Sequence, residues 1–382
     1  MPAIYLDNNA TTPIAPEVRE AMVPYLAEHF GNPASSHRFG EAARLGIRQA
    51  REEVAGLLSC RPERIIFNSG GTEGNNTAIF SAAFAHPGKK HLLSSAVEHG
   101  SVLAPLRFLA ARGWELELLP VDEEGMLLPE ALAKAIRPDT ALVSLMGANN
   151  ETGVLWPVAE FAALCRGKGA LFHCDAIQLA GKAHFSVDEL GVDYLSIAAH
   201  KLHGPKGAGA LFVRRGAPYT SLIHGSGQED GRRAGTENVP GLVGLGRACA
   251  LAAELDAAAH QRLAAMRDRL ERELLARISE ARINGGNAPR LVNTTNISFR
   301  HTSSAGLIQD LDTRGIAVSA HAACESGDLD PSHVLRAMRV PEDFLHGTLR
   351  ISLSRYTREE EIDALLALLP SAVAGSRQGF VL

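Results

Sequence analysis

Cysteine is scarce in this chain, and the few present do not pair. Five are spread over 382 residues: Cys60, Cys165, Cys174, Cys249 and Cys324. The number is odd and no two form a Cys-x-x-Cys motif, which argues against a disulfide framework. No His/Cys cluster has zinc spacing. His200 and His203 lie three apart without further ligands nearby, so no metal site is expected. An excess of one charge is also missing. With 38 Lys and Arg against 43 Asp and Glu, the net charge is -5, and nothing points to nucleic acid. No apolar run is long enough to cross a bilayer. The opening Met-Pro-Ala-Ile-Tyr-Leu-Asp has neither the basic nor the apolar region of a signal peptide. The expectation is a cytoplasmic protein with no membrane partner.

What is present is an ordinary balance, 46% hydrophobic and 21% charged, over a length that suggests two domains. Two helices are expected near 17–29 and 36–59, split by the breaker Gly31-Asn32-Pro33. Apolar strands come next, near 64–67, 91–94, 116–119, 141–145, 170–173, 194–198 and 210–213, most of them separated by helical segments such as 103–112 and 158–166. This alternation predicts an α/β fold with a mostly parallel, seven-stranded sheet covered by helices on both faces. A helical region from 239 to 278 is too long for one globular helix, so a domain junction is placed near 257. The remainder reads as a small α+β domain, with strands near 296–299 and 349–353 and helices near 303–314 and 357–369. The expected division is a large domain, 15–257, and a small domain of 1–14 plus 258–382.

In such sheets a ligand sits outside the carboxyl ends of the strands, and the chemically unusual residues fall there. Ser69-Gly-Gly-Thr-Glu-Gly-Asn-Asn opens a helix after the first strand. Its free N–H groups suit a phosphate, although a plain strand–helix turn would look alike. His99 comes after the next strand, placed to stack on a flat ring or to cap a helix. Asn149-Asn150-Glu151-Thr152 gives more polar residues than a turn needs. Asp175 ends a further strand, three residues before Gln178. Its carboxylate suits a protonated pyridine nitrogen, or a helix N-cap. Asn8, Asn9, Thr11 and Thr12 either bind a ligand or cap the next helix, and spacing favours capping. Residues 225–238 form a polar, glycine-rich loop that is either disordered or anion-binding.

The run Ser196-Ile-Ala-Ala-His-Lys-Leu-His-Gly-Pro-Lys-Gly-Ala-Gly delivers Lys201 to the end of an apolar strand. A lysine held at the edge of a buried sheet loses solvation, which lowers its pKa and makes its amine a nucleophile and base. Glycines nearby let a backbone come close to a ligand. We read Lys201 as the attachment point of pyridoxal phosphate; taken alone it would be a surface-loop lysine. Four of the cysteines sit in apolar surroundings and read as core. Cys324, in Ser319-Ala-His-Ala-Ala-Cys-Glu-Ser-Gly-Asp, sits among small and polar residues and is expected to be exposed and reactive.

Four motifs then come in order: Ala148-Asn-Asn-Glu-Thr-Gly, His200-Lys-Leu-His-Gly-Pro-Lys-Gly, Gly231-Arg-Arg-Ala-Gly-Thr-Glu-Asn and Pro331-Ser-His-Val. Together they resemble the NifS-like cysteine desulfurases of the class V aminotransferase family. The resemblance runs from Tyr5-Leu-Asp-Asn-Asn-Ala-Thr-Thr to Gly347-Thr-Leu-Arg-Ile-Ser-Leu-Ser-Arg-Tyr. It implies a fold-type I pyridoxal-phosphate transferase acting as a homodimer. Lys201 would carry the cofactor, His99 would stack on its ring, and Asp175 and Gln178 would meet the ring nitrogen and oxygen. Gly71, Thr72 and His200 would hold the phosphate, with Thr236 reaching across from the other subunit. Asn150 and Arg350 would bind the carboxylate of L-cysteine, and Cys324 would take the sulfur as a persulfide. The implied products are L-alanine and sulfur passed to an acceptor protein, for iron–sulfur cluster assembly or other thiolation. Alternatives of the same architecture are a selenocysteine or cystine lyase, or a scaffold without turnover. The chain departs from the family pattern at Ala198, Gly147, Ser226, His321 and Ala322, and Glu325 directly succeeds the cysteine. His321 is read either as a local acid or base for Cys324 or as a solvent-facing loop residue.

Overall fold

A computed structural model describes residues 3–320 and 331–378. Its strands, in chain order, are β1 (Ile4–Tyr5), β2 (Ile65–Asn68), β3 (His91–Ser95), β4 (Glu115–Leu119), β5 (Thr140–Met146), β6 (Leu171–Asp175), β7 (Tyr194–Ala198), β8 (Gly209–Val213), β9 (Ala281–Ile283), β10 (Thr294–Phe299), β11 (Ile316–Ala317) and β12 (Thr348–Ser352). β2 to β8 form one seven-stranded sheet in the order β2-β8-β7-β6-β5-β3-β4. Only β8 runs against its neighbours; the rest are parallel, as the strand–helix alternation predicts. The reason lies in the connection. β7 and β8 are joined by loop 199–208, which contains no crossover helix, and a direct return of this kind makes an antiparallel pair. β5, β7 and β8 are buried at every position. Helices therefore cover both faces, which is what continuous apolar runs encode. β2 and β4 are the edge strands, and the exposed Glu115 and Glu117 of β4 keep its edge from pairing with another chain.

The expected helical run after residue 239 breaks where its length required. Val239–Ala253 and Ala257–Arg277 are separate helices, and Asp256 caps the second by accepting from the Ala259 N–H at 2.8 Å. Leu263, Met266, Leu270 and Leu274 of the second helix join Leu6, Phe299, Leu307, Leu349 and Leu365 in a second apolar core. β12, β10 and β9 form an antiparallel sheet beside it, and β1 pairs with β11. β1 and β11 are two residues each, too short to leave a periodic signal. Val334, Leu335, Met338 and Leu345 pack into a larger core with Leu93, Val143, Phe172 and Leu195 of the seven-stranded sheet, which ties the chain beyond residue 331 to that sheet. Among the described residues, no helix is long and apolar enough to cross a membrane.

Candidate active site

The carboxyl ends of β2, β3, β5, β6 and β7 open on one cavity of about 250 Å³. Gly71, Thr72, His99, Asn150, Asp175, Gln178, His200, Lys201 and Arg350 all line it. At one end the helix Gly71–Ala85 begins, with Gly70 at its N-cap and no side-chain cap. Its first-turn N–H groups have no partner within the helix and give that end a partial positive charge. An added Cβ at Gly71 would lie 2.1 Å from Ile177 Cδ1, so that side chain would have to turn aside. His200 borders the same end. Burial, then the charges of Lys201, Lys206 and Lys182, push its pKa down to about 4, so it is a neutral N–H donor. Ala198, where a serine hydroxyl was expected from the family, lines the cavity without a donor.

A directed chain of hydrogen bonds crosses the floor. Asn75 Nδ2 donates to Asp175 Oδ2 at 2.7 Å and to Ser101 Oγ at 2.9 Å. Ser101 Oγ lies 2.8 Å from His99 Nδ1, and the Ser101 backbone N–H donates to that nitrogen at 3.1 Å. Nδ1 is therefore an acceptor, and the ring proton sits on Nε2. His99 thus caps the helix Gly100–Ala110 and lines the cavity at once; the two readings of this residue were not exclusive. Asp175 is almost fully buried. Burial raises its pKa, opposed by the Ile177 N–H bond, His99, Asn75 and Lys201. A positively charged N–H arriving in the cavity would lower it again.

Lys201 comes after β7 in a short turn and donates to the backbone oxygens of Asn9 and, at 2.7 Å, Ala10. Asn9 also accepts from Gln178 Nε2 at 3.0 Å through its carbonyl. The expected capping role of the Asn8–Thr12 segment is overturned here. The next helix starts behind Ala15 with no side-chain cap. Asn9 donates to Thr294 Oγ1 at 2.9 Å instead, and Thr12 Oγ1 holds the Lys201 loop through the His200 carbonyl and the His203 N–H. The loop glycines also serve another end. Gly204 and Gly209 make room for the chain's own atoms: an added Cβ would meet Ala199 at 2.9 Å and Gly70 Cα at 2.6 Å respectively.

Arg350 enters from β12 and is 1% exposed. Its NH2 donates to Asp7 Oδ1 at 2.7 Å and its NH1 to the Asn150 carbonyl at 3.2 Å, while Nε is buried without a partner among the described residues. NH1 and NH2 each use one of their two hydrogens in these bonds, and Arg350 lines the cavity. Asp7 Oδ2 accepts from Ser319 Oγ at 2.8 Å. Ser332 Oγ donates to Glu151 Oε2 at 2.6 Å, and His333 Nε2 lies 3.0 Å from the Glu98 carbonyl oxygen. Cys324, His321, Ala322 and Glu325 lie outside the described residues. Thr236 is exposed and does not line the cavity of its own chain. An added Cβ at Gly147 would lie 2.7 Å from Leu179 Cδ2, so Leu179 would have to shift. Asp7, Asn75, Ser101 and Lys182 escaped the sequence reading. Asn75, a poor helix former inside a helix, was the one visible signal.

Comparison with known proteins decides the family. The model of the aminotransferase class-V family matches residues 4–365. The chain belongs to this family, within its cysteine desulfurases. A cysteine desulfurase of Trichormus azollae is 46% identical over 373 residues, covering 98% of this chain and 93% of the relative. A solved NifS-like protein superposes with a TM-score of 0.91 at 38% identity, covering 98% of this chain and all of that one. The structure titled SspA in complex with cysteine has a TM-score of 0.81 at 34% identity, over 93% of this chain and all of that one. The class-V fold places Lys201, Asp175, His99 and Gln178 around one cavity.

Proposed function

We propose that the chain is a pyridoxal-phosphate-dependent L-cysteine desulfurase that delivers sulfur as a persulfide on Cys324. The observation that carries this is a single cavity lined by an amine, a buried carboxylate, a neutral imidazole and a buried guanidinium. The donor set fits the cofactor. First-turn N–H groups at Gly71 and Thr72, with neutral His200, suit its phosphate. Asp175 suits the pyridine nitrogen, Gln178 the ring oxygen, and the Lys201 amine the aldehyde. When bound, the cofactor supplies an electron sink for charge released at the substrate α-carbon.

The chain's own residues do the rest. Arg350 and Asn150 hold the substrate carboxylate, which fixes the α-C–H relative to Lys201. The Lys201 amine takes the α-proton and returns a proton as alanine forms. His99, with its proton on Nε2, would lie against the ring of the bound cofactor. The Cys324 thiolate attacks the substrate sulfur; the carbon–sulfur bond breaks, a sulfur–sulfur bond forms, and the electron pair left on carbon takes up a proton. L-Cysteine and one enzyme thiol thus become L-alanine and one persulfide. A neighbouring fold holding cysteine, at 34% identity, supports the substrate. The exposure of Thr236, away from its own cavity, supports a homodimer in which each chain completes the other's phosphate site. A cytoplasmic sulfur-acceptor protein, an iron–sulfur scaffold or another thiolation enzyme, would receive the sulfur.

The test is one turnover with L-cysteine and then a mass measurement. Cys324 should gain one sulfur atom with one equivalent of alanine, and Cys324→Ser should form no persulfide. Sulfur found on Cys60, Cys165, Cys174 or Cys249 instead would overturn the assignment.

A further inference from the structure

A second lysine sits behind the first. Lys182 is partly buried and, with Lys201, lines a separate cavity of about 50 Å³ on the far side of the active-site wall. Nothing in the proposed reaction uses it. Its Nζ donates to Gln178 Oε1 and, at 3.1 Å, to Asn9 Oδ1. Burial, with the charges of Lys201 and Arg350 as lesser causes, holds its pKa well below the usual lysine range. Even a neutral amine has two N–H groups, and two oxygens receive them.

We propose that Lys182 is a positioning residue that captures the Gln178 carbonyl oxygen and so makes the Gln178 amide present an N–H, never an oxygen, to the cavity. Lys182 donates to the Gln178 oxygen, and the Asn9 carbonyl opposite, which can only accept, requires the amide nitrogen on its side. The amide nitrogen then has two hydrogens. One goes to the Asn9 carbonyl at 3.0 Å, and the other is left on a residue that lines the active-site cavity. Asn9 is equally fixed. Its Oδ1 receives Lys182 and Asn293 Nδ2, and its Nδ2 serves Thr294 Oγ1 and the Asn150 carbonyl. Neither amide can flip without breaking bonds to buried partners, which costs more than an exposed flip would. Without Lys182 only the Asn9 carbonyl bond still opposes rotation of the Gln178 amide, and a turned amide would present its oxygen to the cavity, where it would repel the ring oxygen of the cofactor.

The inference rests on the cofactor reading above and is tested in the loaded full-length protein. A donor at the ring oxygen stabilises the form in which the lysine–cofactor link has lost its proton, because that form carries more charge on the oxygen. Losing the donor therefore raises the pH midpoint of the visible absorbance band. Lys182→Met and Gln178→Ala should each raise it by about 0.5–1 pH unit, the size of one neutral hydrogen bond. The double variant should match Gln178→Ala alone. Additive shifts would mean that Lys182 acts by its charge, and an unmoved Lys182→Met midpoint would mean that it only packs; either overturns the proposal. Lys182→Arg, which keeps a donor, should retain the wild-type midpoint; a shift as large as that of Gln178→Ala would also overturn it. Wild-type protein that takes up no pyridoxal phosphate would sink the cofactor reading itself, a separate outcome.

Discussion

One wall of the cavity is made of strand ends, and the other of side chains that meet across most of the chain length. On the sheet wall, Gly71, His99, Asp175 and Lys201 each lie at a strand end or within a few residues of one, and backbone ladders set their spacing. On the opposite wall, Asp7 holds Arg350 and Asn9 holds Thr294, partners separated by 343 and 285 positions. The sheet wall takes its precision from many buried backbone bonds. The opposite wall takes it from a few polar contacts, each of which a single substitution removes. Chemistry should therefore fail when the first wall is cut, and affinity when the second is.

The largest effect should come from Lys201→Ala. Removing the group that moves the α-proton should lower alanine formation by at least about 1,000-fold, within the range for a lost general base. A variant that keeps a tenth of the wild-type rate would move the reaction to another residue. Gly209→Ala should cost stability instead. Its Cβ would sit 2.6 Å from Gly70 Cα and 2.7 Å from the Ile197 carbonyl oxygen, backbone atoms that cannot rotate away. Overpacking of this kind costs about 1–3 kcal/mol, to be read by denaturant unfolding. Gly100→Ala, on the same wall but in open space, should change stability by no more than about 0.5 kcal/mol. Equal losses at both glycines would mean that this packing does not matter.

Asp7→Asn probes the other wall. It removes the charge holding the Arg350 guanidinium but leaves every strand end in place. A charge-assisted hydrogen bond is worth about 1.5–3 kcal/mol, so KM for cysteine should rise about tenfold or more while kcat moves less. A fall in kcat with KM unchanged would erase the distinction between the walls.

The same contrast explains how much could be read in the sequence. A strand such as β7 is a local fact, a continuous apolar run, and so are the polar residues directly past its end; the sheet and the sites along its edge were therefore legible. The break between the helices Val239–Ala253 and Ala257–Arg277 was legible because helix length is local too. Asn9 was misread because capping is the nearest use for an asparagine before a helix, whereas its partners Thr294 and Asn293 are remote. Lys182 gave no signal at all. A lysine a few residues past a strand looks like surface, and only the fold turns its amine back toward Gln178. Glycines were recognised as close-approach sites, but which backbone approaches Gly209 depends on the antiparallel return of β8 beside β2.

A pH-dependent effect tests how far the sheet wall depends on burial alone. Glu98 is fully buried between the ends of β3 and β5. Its Oε1 accepts from Ser95 Oγ at 2.8 Å and the Met146 N–H at 3.1 Å, while Oε2 has no partner among the described residues. Burial pushes its pKa up to about 8 against these two bonds, with Asp175 adding to the rise. Between the ordinary carboxyl range and about 8, the folded chain keeps a proton on Glu98 that the unfolded chain has released. Raising the pH through that window therefore favours unfolding, and the loss is complete once pH passes the folded value. The slope can reach about 1.4 kcal/mol per pH unit. Glu98→Gln keeps an acceptor for Ser95 and Met146 but cannot ionise, so its stability relative to wild type should improve steadily from about pH 5 to 8. Parallel stability curves would show that the carboxyl is already ionised in the fold and that the strand ends tolerate a buried charge, which would make the sheet wall as dependent on individual side chains as the wall it faces.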